Sequence, residues 1–341
     1  MVLQNIEGVE GEPQVPCLFI FGDSLSDNGN NHLLRTSAKA NYFPYGIDFP
    51  DSRPTGRFTN GLTSIDFITQ FLGFDQLIPP FANTIADISR GVNYASGAAG
   101  IRNETGKHLG SDISLRLQLT NHRTTVSQIS AGFNKSSEKV EQLLNKCLYY
   151  VNIGANDFLN NYFLPQYYST SATLPLNMEG YVFDLACNPK WENLYDIGGR
   201  KFVLVGVGYI GSTPRALTTL KTNSSTDDIN KAAFLFNANL RSQVDHFNKA
   251  LPNASFIFIN STASKIDPSL GFKVLDSGCC QVGENGQCVA NVRPCDNRKD
   301  FVFYDSFHPT QAANLITALS SYNASIPAYT YPMDISHLVR S

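Results

Sequence analysis

Val15–Asn31 reads VPCLFIFGDSLSDNGNN. An unbroken apolar run, Cys17–Phe21, stops abruptly at Gly22-Asp23-Ser24, and a loop of Asn, Asp and Gly follows. A continuous apolar run bounded by turn residues predicts a strand buried on both faces, as in a parallel sheet. Such a strand would deliver one serine, Ser24, to the rim of that sheet. Ser24 then needs partners from elsewhere in the chain.

The same pattern recurs downstream. Cys147–Ile153, Phe202–Val207 and Phe256–Ile259 are apolar runs, the first ending in Gly154-Ala155-Asn156-Asp157 and the second in glycines. Gly91–Gly100, GVNYASGAAG, predicts a short strand entering a small-residue turn. Between these lie stretches of helical period. Leu62, Ile65, Ile68, Phe71 and Leu72 form one, closed by Gly73. A second, mixed one spans 113–131, and a third runs from Ser136 or Ser137 to Lys146. The longest carries Ile229, Ala233, Phe236, Leu240, Val244 and Phe247, with Asp227 and Asp228 in its first turn and Pro252 beyond its end. Acidic residues suit the positive end of a helix, and proline cannot continue one. Thr310–Tyr322 predicts a last helix. Alternation of this kind implies an α/β fold, a parallel sheet with helices on both faces. Reactive residues gather at the carboxyl edge of such sheets. Ser24, Gly97 and Asn156 each lie just past a strand end. The irregular stretch 30–60 is longer than a compact domain ordinarily tolerates without a function. No repeat or linker divides the chain, so one domain is expected over 15–325, with 1–14 and 326–341 as terminal extensions.

The 341 residues are 42% hydrophobic and 16% charged, with a formal net charge of −3. No basic patch recommends a nucleic-acid partner, and no apolar stretch reaches the ~20 residues of a membrane helix. Residues 1–14 have neither the basic start nor the apolar middle of a signal peptide. Seven cysteines, four of them within 279–295, nevertheless suit an oxidising compartment. Sequons at Asn103, Asn134, Asn223, Asn253, Asn260 and Asn323 add modest weight. The expected location is secreted, extracellular or vacuolar. The odd cysteine count leaves one thiol outside intramolecular bridges.

Serine is a weak nucleophile until a base takes its proton, and the base is usually a histidine oriented by a carboxylate. Of six histidines only His308 sits in a compact arrangement with both a carboxylate and turn chemistry, in Asp305-Ser306-Phe307-His308-Pro309. Phe301–Tyr304 is a candidate strand bringing that pair to the same sheet edge. Acyl transfer also needs donors for a tetrahedral oxyanion. The N–H groups of Ser24 and Gly97 and the side-chain amide of Asn156 qualify. Singly, each motif is open to a plain structural reading as a turn, a cap or an Asx-turn. Jointly they compose a serine-hydrolase set. Asp23 and Asp27 invite a cation site, but their spacing is not that of an EF-hand, and Asx-turns account for them better.

With these blocks in place the chain resembles a GDSL esterase/lipase of the SGNH hydrolase superfamily, in its plant branch. The resemblance runs from about Val15 to Tyr322. It rests on FIFGDSLSDNGNN, GRFTNG, GVNYASGAAGI, IGANDF, LYDIGGRKFVLVGVGYIGSTP, FNANL, GCC, CDNR and DSFHPT. It implies a three-layer α/β/α sandwich with a flavodoxin-like parallel sheet, and hydrolysis of carboxylic esters without metal or cofactor. Ser24 matches the nucleophile, Asp305 and His308 the acid and base, and Gly97 the oxyanion-hole glycine, with Gly100 the alternative. Asn156 matches the oxyanion-hole asparagine. Three positions depart from the pattern. Ser212 stands where plant members commonly have a cysteine, so Cys279 or Cys280 would lose a partner if that cysteine pairs with one of them. Pro175–Trp191, with Pro189 and Cys187, suggests a remodelled helix. Tyr304 replaces a usual Trp. The implied partner is a small-molecule ester, from lipid or plant secondary metabolism. An acyltransferase using the same site is the nearest alternative, and a non-catalytic binding or defence protein on this scaffold is a third. The aromatic-rich loops 40–58 and 158–168 either line the substrate pocket or brace themselves.

Overall fold

The computed structural model describes residues 11–164, 177–187, 191–219, 225–263 and 270–341. Five short strands, β1 (Leu18–Gly22), β2 (Gly91–Asn93), β3 (Leu148–Asn152), β4 (Lys201–Val205) and β5 (Ser255–Ile259), pair in parallel in the order β2-β1-β3-β4-β5. This is the flavodoxin-like order, whose direction of winding switches beside β1. The register is even, with Leu18 opposite both Gly91 and Leu148, and Gly22 opposite Asn152. β1, β3, β4 and β5 therefore end level with one another, while β2 ends two residues earlier, with Asn93 opposite Ile20.

Alternate side chains build two separate cores, as the period of a strand requires. Phe19, Phe21, Tyr149, Val151, Phe202, Leu204, Phe256 and Phe258 face one way. Against them pack the helices α2 (Leu115–Gly132), α3 (Ser137–Leu144), α4 (Met178–Cys187) and α5 (Thr226–Ala250). Leu18, Ile20, Leu148, Tyr150, Val203, Val205, Ile257 and Ile259 face the other way, onto α1 (Ser64–Phe71) and α6 (Gln311–Tyr322). These are the three layers of an α/β/α sandwich. The apolar stripe expected on α5 is buried along its whole length, and Ser225 caps it by accepting from the Asp228 N–H. Within the remodelled stretch, Tyr181, Val182, Leu185 and Ala186 of α4 are core residues; Pro175 and Pro189 lie outside the described residues.

Three features differ from expectation. Phe301–Phe303 is a strand, β7, but it pairs with β6 (Val274–Gly278) in a two-stranded sheet of its own rather than joining the main sheet. The sequence of β6 is half polar, VLDSG, which hides it from an apolar-run search. Residues 326–341, expected as an extension, supply the antiparallel edge strand β8 (Thr330–Tyr331) and bury Ile335, Leu338 and Val339 in the second core. The cysteines pair as Cys17–Cys147, Cys279–Cys295 and Cys280–Cys288, leaving Cys187 outside the bridges. Cys279 and Cys280 thus each have a partner despite Ser212, because Cys288 and Cys295 supply both.

The GRFTNG segment is fixed by a buried ion pair. Arg57 Nε and Nη2 bind Asp66 Oδ2 and Oδ1 at 2.7 and 2.8 Å. Asp66 also closes the capping box of α1, accepting from the N–H of Thr63. Burial works against its ionisation, but Arg57 and Thr63 outweigh it and hold the carboxyl below its ordinary range. Removing one partner of such a pair strands the other charge. Arg57→Met is expected to lower unfolding free energy by about 3–5 kcal/mol, read from urea denaturation. A loss below about 1 kcal/mol would show the pair to be dispensable.

Candidate active site

The turn after β1 is built by Asp23. Its carbonyl accepts from the N–H groups of Ser26 and Asp27, and its Oδ1 from the N–H of Leu25 at 3.0 Å. Gly22 is required here, since a Cβ would sit 2.7 Å from the Asn152 carbonyl of the neighbouring strand. Ser24 is thereby left at the rim, and its N–H has no acceptor among the described residues.

The loop that follows is a latch rather than a cation site. Asp27 Oδ1 accepts from the N–H groups of Gly29 and Asn30, and its Oδ2 from the N–H of Gly97 at 2.8 Å. Asn30 Nδ2 donates to the carbonyls of Asn93 and Ala95, and Asn31 Nδ2 to that of Gly97. These buried side chains tie the loop after β1 to the turn after β2. On the far side of β1, the turn after β3 carries Asn156. Asp157 anchors it by accepting from the N–H groups of Ile101 and Arg102 and from the Thr105 hydroxyl. One N–H of the Asn156 amide goes to the Ala99 carbonyl at 3.0 Å, and its oxygen accepts from Asn160.

Asp305 and His308 arrive from the two-stranded sheet. The chain reverses after β7, with Tyr304 N–H donating to the His308 carbonyl at 2.7 Å and Thr310 N–H to that of Val302. Thr310 then caps α6. Within the reversal, Asp305 Oδ1 accepts from the N–H groups of Phe307 and His308, each at 2.8 Å. Asp305 Oδ2 lies 2.7 Å from His308 Nδ1, and His308 Nε2 lies 2.8 Å from Ser24 Oγ. Three side chains from opposite ends of the sequence form one continuous hydrogen-bonded line.

Two residues of this site lie in the aromatic-rich stretch 40–58, where the sequence assigned neither a role of its own. Tyr45 is fully buried and donates to the same Asp305 Oδ2 at 2.6 Å, while its own oxygen accepts from the Cys288 N–H. Burial and the neighbouring Asp305 push its phenol well above the ordinary range, so it stays a donor. Phe58 lies with its ring 4.9 Å from that of His308. It also explains Gly97, where a Cβ would meet the Phe58 ring at 2.6 Å. The glycine therefore makes room for packing, and its N–H is held by Asp27. The next residue, Ala98, is the one that borders the cleft.

That cleft has a volume of about 320 Å³ and is bordered by Ser24, Ala98, Asn156 and His308. The sequence model of the family described as GDSL-like Lipase/Acylhydrolase matches residues 18–320. The chain belongs to the GDSL lipase/acylhydrolase family. Among its relatives, one Arabidopsis thaliana GDSL esterase/lipase is 46% identical over 98% of this chain and 94% of its own length. A second from the same plant is 47% identical over 97% and 94%, and a third 46% identical over 96% and 93%. No helix among the described residues of this GDSL protein is long and apolar enough to cross a membrane.

The latch buries carboxyls at a cost. Burial pushes Asp23 up to about 7, and Asp27 and Asp157 up to about 6. A carboxyl whose folded value exceeds its unfolded one keeps a proton in the native state that the unfolded chain has lost. Its contribution to stability is thus greatest at acid pH and is lost as pH rises towards the folded value. Asn at position 23 keeps the acceptor for Leu25 but cannot ionise. Asp23→Asn is expected to flatten the fall in unfolding free energy between pH 5 and 8 by about 2 kcal/mol. Urea midpoints measured across that range test this, and parallel curves for the two proteins would refute it.

Proposed function

We propose that this GDSL protein hydrolyses carboxylic esters of lipid or plant secondary-metabolite type in two steps, through an acyl-enzyme on Ser24. The observation that carries the reading is the line Ser24 Oγ–His308 Nε2 at 2.8 Å and His308 Nδ1–Asp305 Oδ2 at 2.7 Å. His308 takes the Ser24 proton as Oγ attacks the ester carbonyl, and Asp305 holds the imidazole in orientation and supports its positive charge. His308 then returns the proton to the departing alcohol. Water attacks the acyl-enzyme by the same route in reverse.

The oxyanion donors favoured by the geometry are the Ser24 N–H, the second N–H of the Asn156 amide and the Ala98 N–H. Gly97 N–H, the donor expected from the sequence, is engaged by Asp27, so it supports the hole by fixing the turn. Ala98 has φ +66°, a strained conformation for a residue with a Cβ, held by the contacts on either side of it. The active domain in this reading runs from about residue 15 through the edge strand β8 and the buried residues that follow it, Ile335, Leu338 and Val339. Three disulfides, together with exposed sequons at Asn103, Asn134, Asn253 and Asn323, support passage through an oxidising secretory route. Asn260 is half-buried, and Asn223 lies outside the described residues.

Two outcomes test the mechanism. Ser24→Ala is expected to cut turnover of a chromogenic butanoate ester by on the order of 10⁴-fold or more while the thermal unfolding curve is retained; undiminished turnover would sink the assignment. Tyr45→Phe removes one donor from the carboxylate, which then holds the imidazolium proton more tightly. The acid limb of the kcat/KM profile is expected to move up by roughly 0.5–1 pH unit. An unmoved limb would make Tyr45 a packing residue only.

A further inference from the structure

One residue on the border of the cleft carries a permanent charge that no described residue neutralises. Arg57, Arg102 and Arg298 each pair with a carboxylate. Arg215, half-buried at the cleft, pairs with none among the described residues. Its Nη1 donates to the Glu284 carbonyl at 2.7 Å, and the rest of its guanidinium has no acceptor among those residues. The carboxyl that the cleft does hold, Asp23, is buried, engages the Leu25 N–H and is not within ion-pair distance of Arg215. Asn285 and Gln287, which border the same space, spend their side-chain amides on each other and on the Lys39 carbonyl.

Backbone contacts fix where Arg215 stands relative to the reaction. Its N–H donates to the Ser306 carbonyl at 3.1 Å, and the Ser306 N–H donates to the Gly286 carbonyl at 3.0 Å. Ser306 lies between Asp305 and His308 in the chain reversal. Arg215 and the 284–287 loop are therefore attached to the wall of the cleft that carries the base. His308 Nε2 gives its proton to the departing alcohol, so the alcohol part of the ester lies against this same wall. The part of the cleft lined from the turn after β3, by Asn156, Leu159, Asn160 and Leu164, carries no charged side chain.

We propose that Arg215 is a specificity residue and that the preferred substrates carry a carboxylate on the alcohol that leaves. The inference rests on the esterase reading above and names a feature of its substrate. A guanidinium held at one nitrogen by a backbone carbonyl keeps its remaining N–H groups for a planar anion, and a carboxylate matches that fork. Because the carbonyl already restrains the side chain, little of its freedom is left to lose on binding. The contact is confined to the steps up to release of the alcohol, since the acyl-enzyme formed afterwards no longer contains the charged group. The preference therefore belongs in kcat/KM.

The experiment compares kcat/KM for 3-carboxyphenyl butanoate with that for its uncharged amide, 3-carbamoylphenyl butanoate, on the wild-type protein and on Arg215→Gln. A second pair, the mono-p-nitrophenyl ester of adipic acid and the matching amide, places the carboxylate on the acyl side. The wild type is expected to favour 3-carboxyphenyl butanoate over its amide by about 10-fold or more, less so as salt is raised, and to show no such preference in the acyl-side pair. In Arg215→Gln the first ratio is expected to fall to about one, with an unaltered circular dichroism melt. Equal rates for the acid and the amide in the wild type overturn the inference and need no variant. So does a preference confined to the acyl-side pair, or one retained in a folded Arg215→Gln. In each of those cases the uncharged butanoate is still hydrolysed and the esterase reading stands, whereas turnover of no ester in either pair would remove both.

Discussion

Parallel pairing of β1 with both β2 and β3, in even register, is the constraint on which the site depends. It brings the turns after Gly22 and Asn152 to one edge at one level, and the chain after β2 joins them there, with the Ser96 N–H donating to the Gly22 carbonyl. Strands in a sheet are about 4.8 Å apart, so groups one or two residues beyond three adjacent strand ends fall within reach of one small molecule. Ser24 follows the central strand of the three, with the Ala98 turn on one side and Asn156 on the other. No side-chain interaction has to gather these groups, because backbone hydrogen bonds do so when the sheet forms.

Side chains set the finer geometry, and they do it with buried polar groups. Asp27, Asn30 and Asn31 spend most of their hydrogen-bonding capacity on backbone groups of their own loop and of the turn after β2. A buried polar group left unpaired is costly, so each of these residues tolerates very few loop conformations. The raised Asp23, Asp27 and Asp157 record the electrostatic cost of that rigidity. Apolar side chains in the same loop would be easier to bury but would leave the N–H of Gly97, and the turn around it, without a fixed orientation.

How much of this was legible in the sequence follows from the range of each interaction. The five parallel strands and the long α5 stripe are local patterns, and period and turn residues reveal them. The Asp305–His308 pair is also local, since both residues belong to one reversal of the chain. Strand β6 was missed because VLDSG is a half-exposed strand without an apolar run. The integration of 330–339 into the fold was missed because its edge strand has two residues. Tyr45 was invisible for a different reason: its target, Asp305, is 260 positions away, and no local pattern marks a tyrosine as a carboxylate donor. Gly97 was found for a reason the structure revises. The residue type is dictated by the Phe58 ring and the N–H is taken by Asp27, so the exposed position of the turn falls one residue later.

The long irregular stretch 30–60 acquires a role from the separation of the two sheets. Ser24 and Asn156 are carried by the main sheet, but Asp305 and His308 ride on the smaller one, and nothing in the main sheet's pairing sets the distance between them. The contacts that do so come largely from this stretch. Tyr45 holds Asp305, Phe58 packs on His308, and the Pro44 carbonyl accepts from the Tyr304 hydroxyl at 2.6 Å. Asp48 pairs with Arg298, and the Asn60 oxygen accepts from the N–H of Gln311 at the start of α6. At its other end, Arg57 fixes the stretch to α1 and thereby to the main sheet. The aromatic residues at its centre thus brace one sheet against the other, and Phe58 also borders the cleft. A chain segment with this many fixed contacts cannot be shortened without changing the 2.8 Å separation between Ser24 Oγ and His308 Nε2, which accounts for a loop of such length in so compact a molecule.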